Sequence, residues 1–258
     1  MAAERSDRVR IAGIALDAMT EYDVVEHLVA AVRGGRGGHI VTPNVDICRR
    51  ARRDARLGEL LARADIAVPD GMPLVWAARL GGQPLPERVT GSALIWSLSA
   101  AAAGNGLSVY LLGGAPGVPE QAARALAARH PGLVVAGVHA PPFGFDRIGA
   151  EGIEEVRGRL LEARPDIVFV GLGFPRQDLL IDRLRPVLPK AWFLGCGSAI
   201  SFAAGEVRRA PLWMQQAGLE WLWRLGSEPR RLARRYLVDD LPFAVHLLAT
   251  SWLARLTR

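Results

Sequence analysis

A carboxylate and a guanidinium lie near each other in residues 64–91, ADIAVPDGMPLVWAARLGGQPLPERVTG. The apolar run ends in Asp70, a helical pattern begins near Met72, and Arg88 follows in a Pro/Gly-rich loop. Open α/β sheets bind ligands at the carboxyl ends of their strands, where Asp70 is predicted to lie. A guanidinium is suited to phosphate or carboxylate groups, and a carboxylate can accept a proton from a hydroxyl. The segment predicts a site for a charged donor, with a helix N-cap as the other interpretation of Asp70.

A second polar loop, Thr42-Pro43-Asn44, follows a predicted strand and precedes a helical pattern. Its hydroxyl and amide side chains could hydrogen-bond a sugar or a nucleotide. Thr and Asn also serve very often as helix N-caps, and the residues alone favour that role.

Three predicted strands end in glycine-rich turns that lead into helices. Glycine permits close backbone approach, and the amides of a helix N-terminus can hold a phosphate. No G-x-G-x-x-G fingerprint is present, so each turn alone is equally explained by backbone geometry. Together the turns predict a nucleotide-sized crevice. The residues concerned are Gly113 and Gly114, Gly171 with Gln177 (alternatively a solvated first-turn glutamine), and Gly195 with Gly197.

The motifs that usually hold a metal or a nucleophile are missing. There is no D-x-D, H-E-x-x-H, C-x-x-C or G-x-S-x-G, and the five histidines are scattered. Cys48 and Cys196 form no disulfide framework and no metal-ligand spacing. We expect a reaction without metal or cofactor, in which arginines neutralise the charge of a leaving pyrophosphate.

Short apolar runs alternate with longer helical patterns, which is typical of βαβ units. The predicted fold class is α/β, a Rossmann-like, mostly parallel sheet with helices on both faces, plus a C-terminal helical appendage. Predicted strands are Ile11–Ala15, His39–Val41, Ile66–Val68, Ser108–Leu112, Val134–Val138, Asp166–Gly171 and Trp192–Leu194; helical patterns include Asp23–Arg33, Val45–Ala62, Val118–Arg129, Glu151–Glu162 and Arg176–Val187.

The character of the chain changes near residue 206. Residues 1–206 are predicted to form the α/β body, and residues 207–258 form the C-terminal appendage, rich in Trp and Arg. This composition suits an interfacial segment on anionic lipid, with a helical cap or a subunit interface as the alternative. Its most apolar stretch, residues 241–254, is shorter than the about 20 residues that a spanning helix needs.

The net charge of +6 comes almost wholly from arginine, with Lys190 as the single lysine. Such usage is typical of genome composition, so we expect no nucleic-acid partner. No signal peptide is apparent. We therefore expect a cytoplasmic protein.

Several motifs together resemble the TagA/CpsF/WecG family of bacterial glycosyltransferases over nearly the whole chain. They are Thr42–Asn44, Pro69–Gly71, Glu87–Gly91, the turn Gly171–Asp178 and, most specifically, RAPLWMQQAGLEWLWRLGSEPRRLARRY. The resemblance implies an inverting, metal-independent transfer from a UDP-sugar (N-acetylmannosamine, its uronic acid or glucose type) to a polyprenyl-diphosphate-linked acceptor. It also implies a protein peripheral to the inner face of the cell membrane, and a possible homo-oligomer. By resemblance Asp70 matches the catalytic base, and the substrate contacts match Thr42, Asn44, Arg88, Gln177, Arg224, Arg231 and Arg234.

Two positions depart from the family pattern. Ala93 stands where the family usually has the acid of G-x-D, and Ser201 stands where it has the acid of F-D-F. These losses bear on the identity of the sugar. Two other functions remain open from the residues: a nucleotide-binding oxidoreductase, which shares glycine turns and a parallel sheet, and a non-catalytic membrane-peripheral binding protein.

Overall fold

A six-stranded parallel sheet forms the centre of the computed structural model, which describes residues 8–145, 150–208 and 210–256. Its spatial order is β4-β3-β8-β7-β5-β6, and a two-stranded antiparallel hairpin, β1-β2, lies beside it. The strands are β1 (Arg8–Ile11), β2 (Ile14–Asp17), β3 (Gly38–Val41), β4 (Ile66–Ala67), β5 (Ser108–Gly113), β6 (Val134–His139), β7 (Ile167–Gly171) and β8 (Trp192–Gly195).

Helices cover both faces of the sheet, which confirms the predicted fold class. They are α1 (Glu21–Arg33), α2 (Val45–Arg53), α3 (Ala55–Ala62), α4 (Met72–Leu80), α5 (Gly91–Asn105), α6 (Val118–Arg129), α7 (Ala150–Ala163), α8 (Arg176–Leu184) and α9 (Ala199–Ala203).

The central strands are apolar at every position because both of their faces are buried. On β7, Phe169 packs into the core under α1, α5 and α6, whereas its neighbours Val168 and Val170 pack into the core under α7 and α8. This alternation follows from the two-residue period of a strand.

Adjacent strands β5 and β7 lead to helices on opposite faces of the sheet. Helix α6, which follows β5, buries Leu126 in one core, and α8, which follows β7, buries Ile181 in the other. Connections that leave in opposite directions open a crevice at the carboxyl ends of the two strands.

Two predicted elements are wrong in detail. The strand Ile11–Ala15 is two strands of a hairpin, because Ala12 and Gly13 form the turn with φ of 53° and 88°. The helical pattern Val45–Ala62 is two helices, since Asp54 is extended and its side chain caps α3 by accepting from the Arg56 amide. An apolar pattern does not register such a break when both helices pack on the same core.

The described part of the chain after residue 210 is helical. It comprises α10 (Leu212–Gln216), α11 (Glu220–Ser227), α12 (Pro229–Ala233), a π-helix (Arg234–Asp240) and α13 (Leu241–Leu256). Helix α13 packs on α4 and buries Leu247 in the same core as Leu74 and Ala77. Among the described residues, no helix combines the length and the apolar character needed to cross a bilayer.

Candidate active site

Backbone hydrogen bonds join the loops that carry the three leading candidates. The amide of Asp70 donates to the carbonyl of Pro43 at 2.8 Å, which links the loop after β4 to the loop Thr42–Asn44 after β3. The amide of Val89 donates to the carbonyl of Pro69 at 2.9 Å, which brings the Arg88 loop against the same turn. The structure therefore gathers these loops at one carboxyl-end rim of the sheet, as the sequence predicts.

Asp70 is half-buried at this rim. The N-cap of α4 is Gly71, at φ 149°, and no side chain caps this helix. The cap interpretation of Asp70 is therefore wrong, because the residue lies one position too early and the backbone turns away at Gly71.

The loop after β3 caps the helix that follows it. The side chain of Asn44 accepts a hydrogen bond from the Ile47 amide at 3.1 Å and caps α2, so the predicted cap is confirmed. Thr42 is buried directly after the strand. Capping fixes the orientation of the loop that contacts Asp70.

The glycines at the strand ends permit close contact between neighbouring backbone segments. A Cβ on Gly113 (φ 114°) would lie 2.6 Å from the Gly171 carbonyl oxygen, and one on Gly171 would lie 2.9 Å from that of Gly197. A Cβ on Gly195 would lie 2.7 Å from Nε2 of Gln177. These contacts show that close packing at the rim requires glycine at these positions.

The other two glycines meet different surroundings. Gly114 adopts φ 91°, and a Cβ there would press on Val118 at 3.1 Å. Gly197 adopts φ 54°, and a Cβ there would meet no described atom within 4 Å. Gly197 thus borders open space at the end of β8.

Gln177 connects two rim loops. Its Oε1 accepts from the amides of Gly173 and Gly197, both at 3.1 Å, so it ties the loop after β7 to the loop after β8. The side chain is buried, and the alternative of a solvated glutamine is wrong. Next to it, Asp178 Oδ1 lies 3.3 Å from His39 Nε2, so the first turn of α8 lies close to β3.

Arg88 contacts the C-terminal appendage. Its Nη1 lies 3.2 Å from a carboxylate oxygen of Glu220, and its Nη2 donates to the Gln215 carbonyl at 3.2 Å. The side chains of Arg88 and Glu220 are 16% and 14% exposed. The arginine beside the Asp70 turn therefore holds the start of α11 on the rim.

Arg224, one turn further along α11, reaches the segment that follows β8. Its guanidinium lies 5.6 Å from the centre of the Phe202 ring, and Nη2 makes a weak 3.5 Å contact with the Ser198 hydroxyl. Its Nε is buried, and within the described ranges it has no hydrogen-bond partner. An unpaired buried donor is costly, so this atom is suited to an anionic ligand.

The other two appendage arginines do not contact the rim in the described contacts. Arg231 is exposed and pairs with Glu228 at 2.6 Å, an interaction that lowers the pKa of the Glu228 carboxyl. Arg234 is also exposed. Of the three predicted arginines, the structure brings Arg224 to the other site residues and leaves Arg231 and Arg234 facing solvent.

Cys196 lies at the rim directly after β8, but its chemistry is suppressed. Burial raises the pKa of its thiol to about 12, so the thiolate nucleophile is not formed at neutral pH. Burial has the same effect on the thiol of Cys48. Within the described ranges, no three His, Cys, Asp or Glu side chains are gathered as a metal-binding group.

Two cavities lie away from the rim. One, of about 350 Å³, is at the amino end of the sheet beside Gly38 and Arg185, and one of about 380 Å³ lies between the hairpin and α3. At the rim itself, α11 is bonded to the body through Glu220 with Arg88 and through Arg224 with Ser198.

Sequence reasoning missed the partners that the appendage uses. Glu220, Ser198 and Phe202 carry no motif, and Arg88 and Glu220 are 132 positions apart. The one available signal was the placement of acidic residues in an otherwise basic segment, which favours pairing with body arginines.

Comparison with known proteins places these features in a family context. The family model described as "Glycosyl transferase WecG/TagA/CpsF family" matches residues 9–257. A protein of Bacillus spizizenii is 32% identical over 210 residues, covering 81% of this chain and 79% of that protein. One from Staphylococcus aureus is 30% identical over 252 residues, covering 96% and 95%. Both relatives are named N-acetylglucosaminyldiphosphoundecaprenol N-acetyl-beta-D-mannosaminyltransferase.

Proposed function

The chain belongs to the WecG/TagA/CpsF family of glycosyltransferases, and on that premise we propose that it transfers a sugar from a UDP-sugar to a polyprenyl-diphosphate-linked acceptor. The names of its relatives specify an N-acetylglucosaminyl-diphosphoundecaprenol acceptor and transfer of N-acetylmannosamine. For this chain the donor is of the N-acetylmannosamine, N-acetylmannosaminuronic acid or glucose type. Family membership favours a glycosyltransferase over the two alternatives, an oxidoreductase and a non-catalytic binding protein.

The observation that carries this proposal is the meeting of Asp70, Arg88 and Arg224 at one rim. In the proposed step, the acceptor hydroxyl attacks the anomeric carbon of the donor, and its proton passes to the Asp70 carboxylate. The bond between the anomeric carbon and the UDP oxygen breaks, and UDP leaves. Attack from the face opposite the leaving group inverts the anomeric centre.

The departing diphosphate needs positive charge, and arginine supplies it in this proposal. Arg224 presents a buried Nε donor with no hydrogen-bond partner in the described ranges, and its Nη2 contacts Ser198 after β8. Charge-assisted bonds from a guanidinium to a phosphate are among the stronger hydrogen bonds in proteins. Because arginines take this role, the proposed reaction needs no divalent metal or other cofactor.

The appendage supports a location on the inner face of the cell membrane, where a lipid-linked acceptor would be met. Its exposed side chains include large apolar groups and arginines, which together favour an interface with anionic lipid. They are Trp213, Trp221, Val238, Val245, Trp252, Leu253 and Leu256, with Arg230, Arg231 and Arg234.

Asp70→Asn tests the proposed base, because it keeps the shape of the side chain and removes its proton-accepting capacity. We expect UDP release in the presence of lipid-linked acceptor to fall by about 10²–10⁴-fold, the usual contribution of general-base catalysis. Asp182→Asn, which changes a surface carboxylate that pairs with Arg63, is the matched control and should keep its turnover. Chelation of divalent metals should leave the wild-type rate unchanged. Near-normal turnover of Asp70→Asn would show that another group accepts the proton.

A further inference from the structure

A closed ring of four charges joins the body to the appendage, and we propose that it positions the appendage arginines for the lipid-linked acceptor. Asp46 and Arg49 come from α2, and Arg235 and Asp240 come from the π-helix. This inference rests on the proposed function, since it concerns how the same site receives its acceptor. Arg49 and Asp46 are positioning residues in this scheme and do not touch the substrate.

The charges alternate around the ring, so every member has an opposite charge on each side. Arg49 lies 2.6 Å from Asp46 and 3.2 Å from Asp240. Arg235 lies 3.3 Å from Asp46 and 3.4 Å from Asp240. Asp239 adds a longer 3.8 Å contact to Arg49.

The ring is largely withdrawn from water. Asp46, Arg49 and Asp240 are nearly buried, whereas Arg235 is partly exposed. Buried ion pairs contribute little net stability, but they fix one geometry, because loss of a single partner leaves a buried charge uncompensated. The ring is therefore better suited to orienting the appendage than to holding it on.

Attachment itself comes from apolar contact. Helix α13 buries Leu247 against Leu74 and Ala77 of α4, and this packing does not involve the ring. An appendage without the ring is expected to remain attached through α13, but with more freedom in the segment before it.

The position of the ring connects the rim to the arginines. Asp46 lies in the first turn of α2, whose cap Asn44 belongs to the loop that contacts Asp70. Arg235 directly follows Arg234 and comes one turn, about 6 Å, after Arg231. Locking Arg235 to Asp46 therefore fixes the distance from these arginines to the rim.

The arginine-bearing segment is held at both of its ends. At the start of α11, Glu220 pairs with Arg88, and Arg224 contacts Ser198. At the other end, the ring fixes the π-helix. π-helical turns are rare and are frequent at functional sites. The geometry points to a segment that is fixed at both ends, and the ring sets its position relative to the rim.

Arg49→Ala, Asp240→Asn and the double variant form a cycle that tests the ring in the full chain, with Asp182→Asn as the control. We expect the KM for the lipid-linked acceptor to rise at least about tenfold in each single variant, while kcat and the KM for the donor change little. The double variant should be less impaired than the product of the single effects, because it leaves no uncompensated charge between Arg49 and Asp240. Arg49→Lys, which reaches only one carboxylate at a time, should fall between wild type and alanine.

Hydrogen exchange of the amides in 229–240 gives a readout that does not depend on catalysis. Faster exchange there in Arg49→Ala, with unchanged exchange in α13, supports the ring. If the wild type itself transfers no sugar, the proposed function fails, and the exchange data still decide whether the ring docks the segment. An active Arg49→Ala enzyme with an unaltered acceptor KM, or one with reduced kcat alone, overturns the positioning role.

Discussion

A single side chain, Arg224, joins the appendage to the body. It leaves α11, lies over the Phe202 ring and ends beside Ser198, with a buried Nε that has no hydrogen-bond partner in the described chain. An unpaired buried donor is costly to the free protein and is suited to an anion that arrives with the substrate. The same residue was predicted from the family resemblance, but its contacts were not.

Arg224→Ala is expected to lower kcat/KM for UDP-sugar transfer by about 10²-fold, because one charge-assisted contact to the leaving diphosphate is lost. The thermal midpoint should change little, since the visible partners of Arg224 are one weak hydroxyl contact and one ring. Arg224→Lys keeps the charge and loses the fork-shaped donor set, so it should recover only part of the rate. Arg183→Ala, at an exposed position in the last turn of α8, is the control. A fully active Arg224→Ala enzyme would remove this residue from the leaving-group site.

Side-chain caps stabilise the starts of several helices, and at α1 the cap is reciprocal. Thr20 accepts from the Asp23 amide, and the Asp23 carboxylate accepts from the Thr20 amide and hydroxyl, which forms a capping box. The hydrogen bonds from Thr20 lower the pKa of Asp23. The unfolded chain therefore binds this proton more readily than the folded chain does.

Thr20→Ala is expected to lower the free energy of unfolding at pH 7 by about 1 kcal/mol, the usual value of an N-cap. The stabilising effect of the Asp23 charge is complete above the ordinary carboxyl pKa and declines as the pH falls through that range toward the lowered value. Denaturant unfolding at several pH values measures both effects. Thr250→Ala, which removes a hydroxyl bonded to its own helix, is the control. Equal stabilities of Thr20→Ala and wild type at pH 7 would contradict the role of the box.

At the scale of elements, the predicted strands and helices follow from periodicity except where packing hides a boundary. Helix α5 was not assigned from the sequence because it is apolar on nearly all sides. It buries Leu94, Ile95 and Leu98 between neighbouring helices, so no polar face marks its period. The break at Asp54 was missed for the related reason that two helices share one core.

At the scale of the whole molecule, the appendage combines an attached side with an exposed one. Leu247 faces the body core, whereas Val245, Trp252 and Leu253 are half exposed or more. An α-helix that is apolar on both sides and carries nearby arginines is suited to a lipid interface. The residues that contact the rim and the exposed apolar face thus belong to the same C-terminal segment.

Trp252→Glu is expected to weaken binding of the full chain to vesicles with anionic lipid by about tenfold or more, because it replaces a large apolar side chain with a charge of the same sign as the lipid. Flotation with vesicles measures this binding. Val134→Glu, at an exposed apolar position on β6 of the body, is the matched control and should bind as wild type does. Equal flotation of Trp252→Glu and wild type would show that α13 does not face the bilayer.

The α/β class, the ends of most strands in the parallel sheet and the residue types at the rim could be predicted from the sequence. Strand and helix periods are local, and a polar residue after an apolar strand has a fixed place at the sheet edge. Motif resemblance also identified the family, which the family match over residues 9–257 confirmed.

Which of those residues are in contact depends on the packing of distant parts of the chain. Gln177 proved to be a buried connection between two rim loops, Arg88 a contact of Glu220, and Asp46 a member of a ring closed by Asp240. Such pairs are separated by many residues, and their distances depend on how sheet, helices and appendage pack. Local sequence patterns do not predict that packing, because an ion pair forms only where the folded chain brings two opposite charges together.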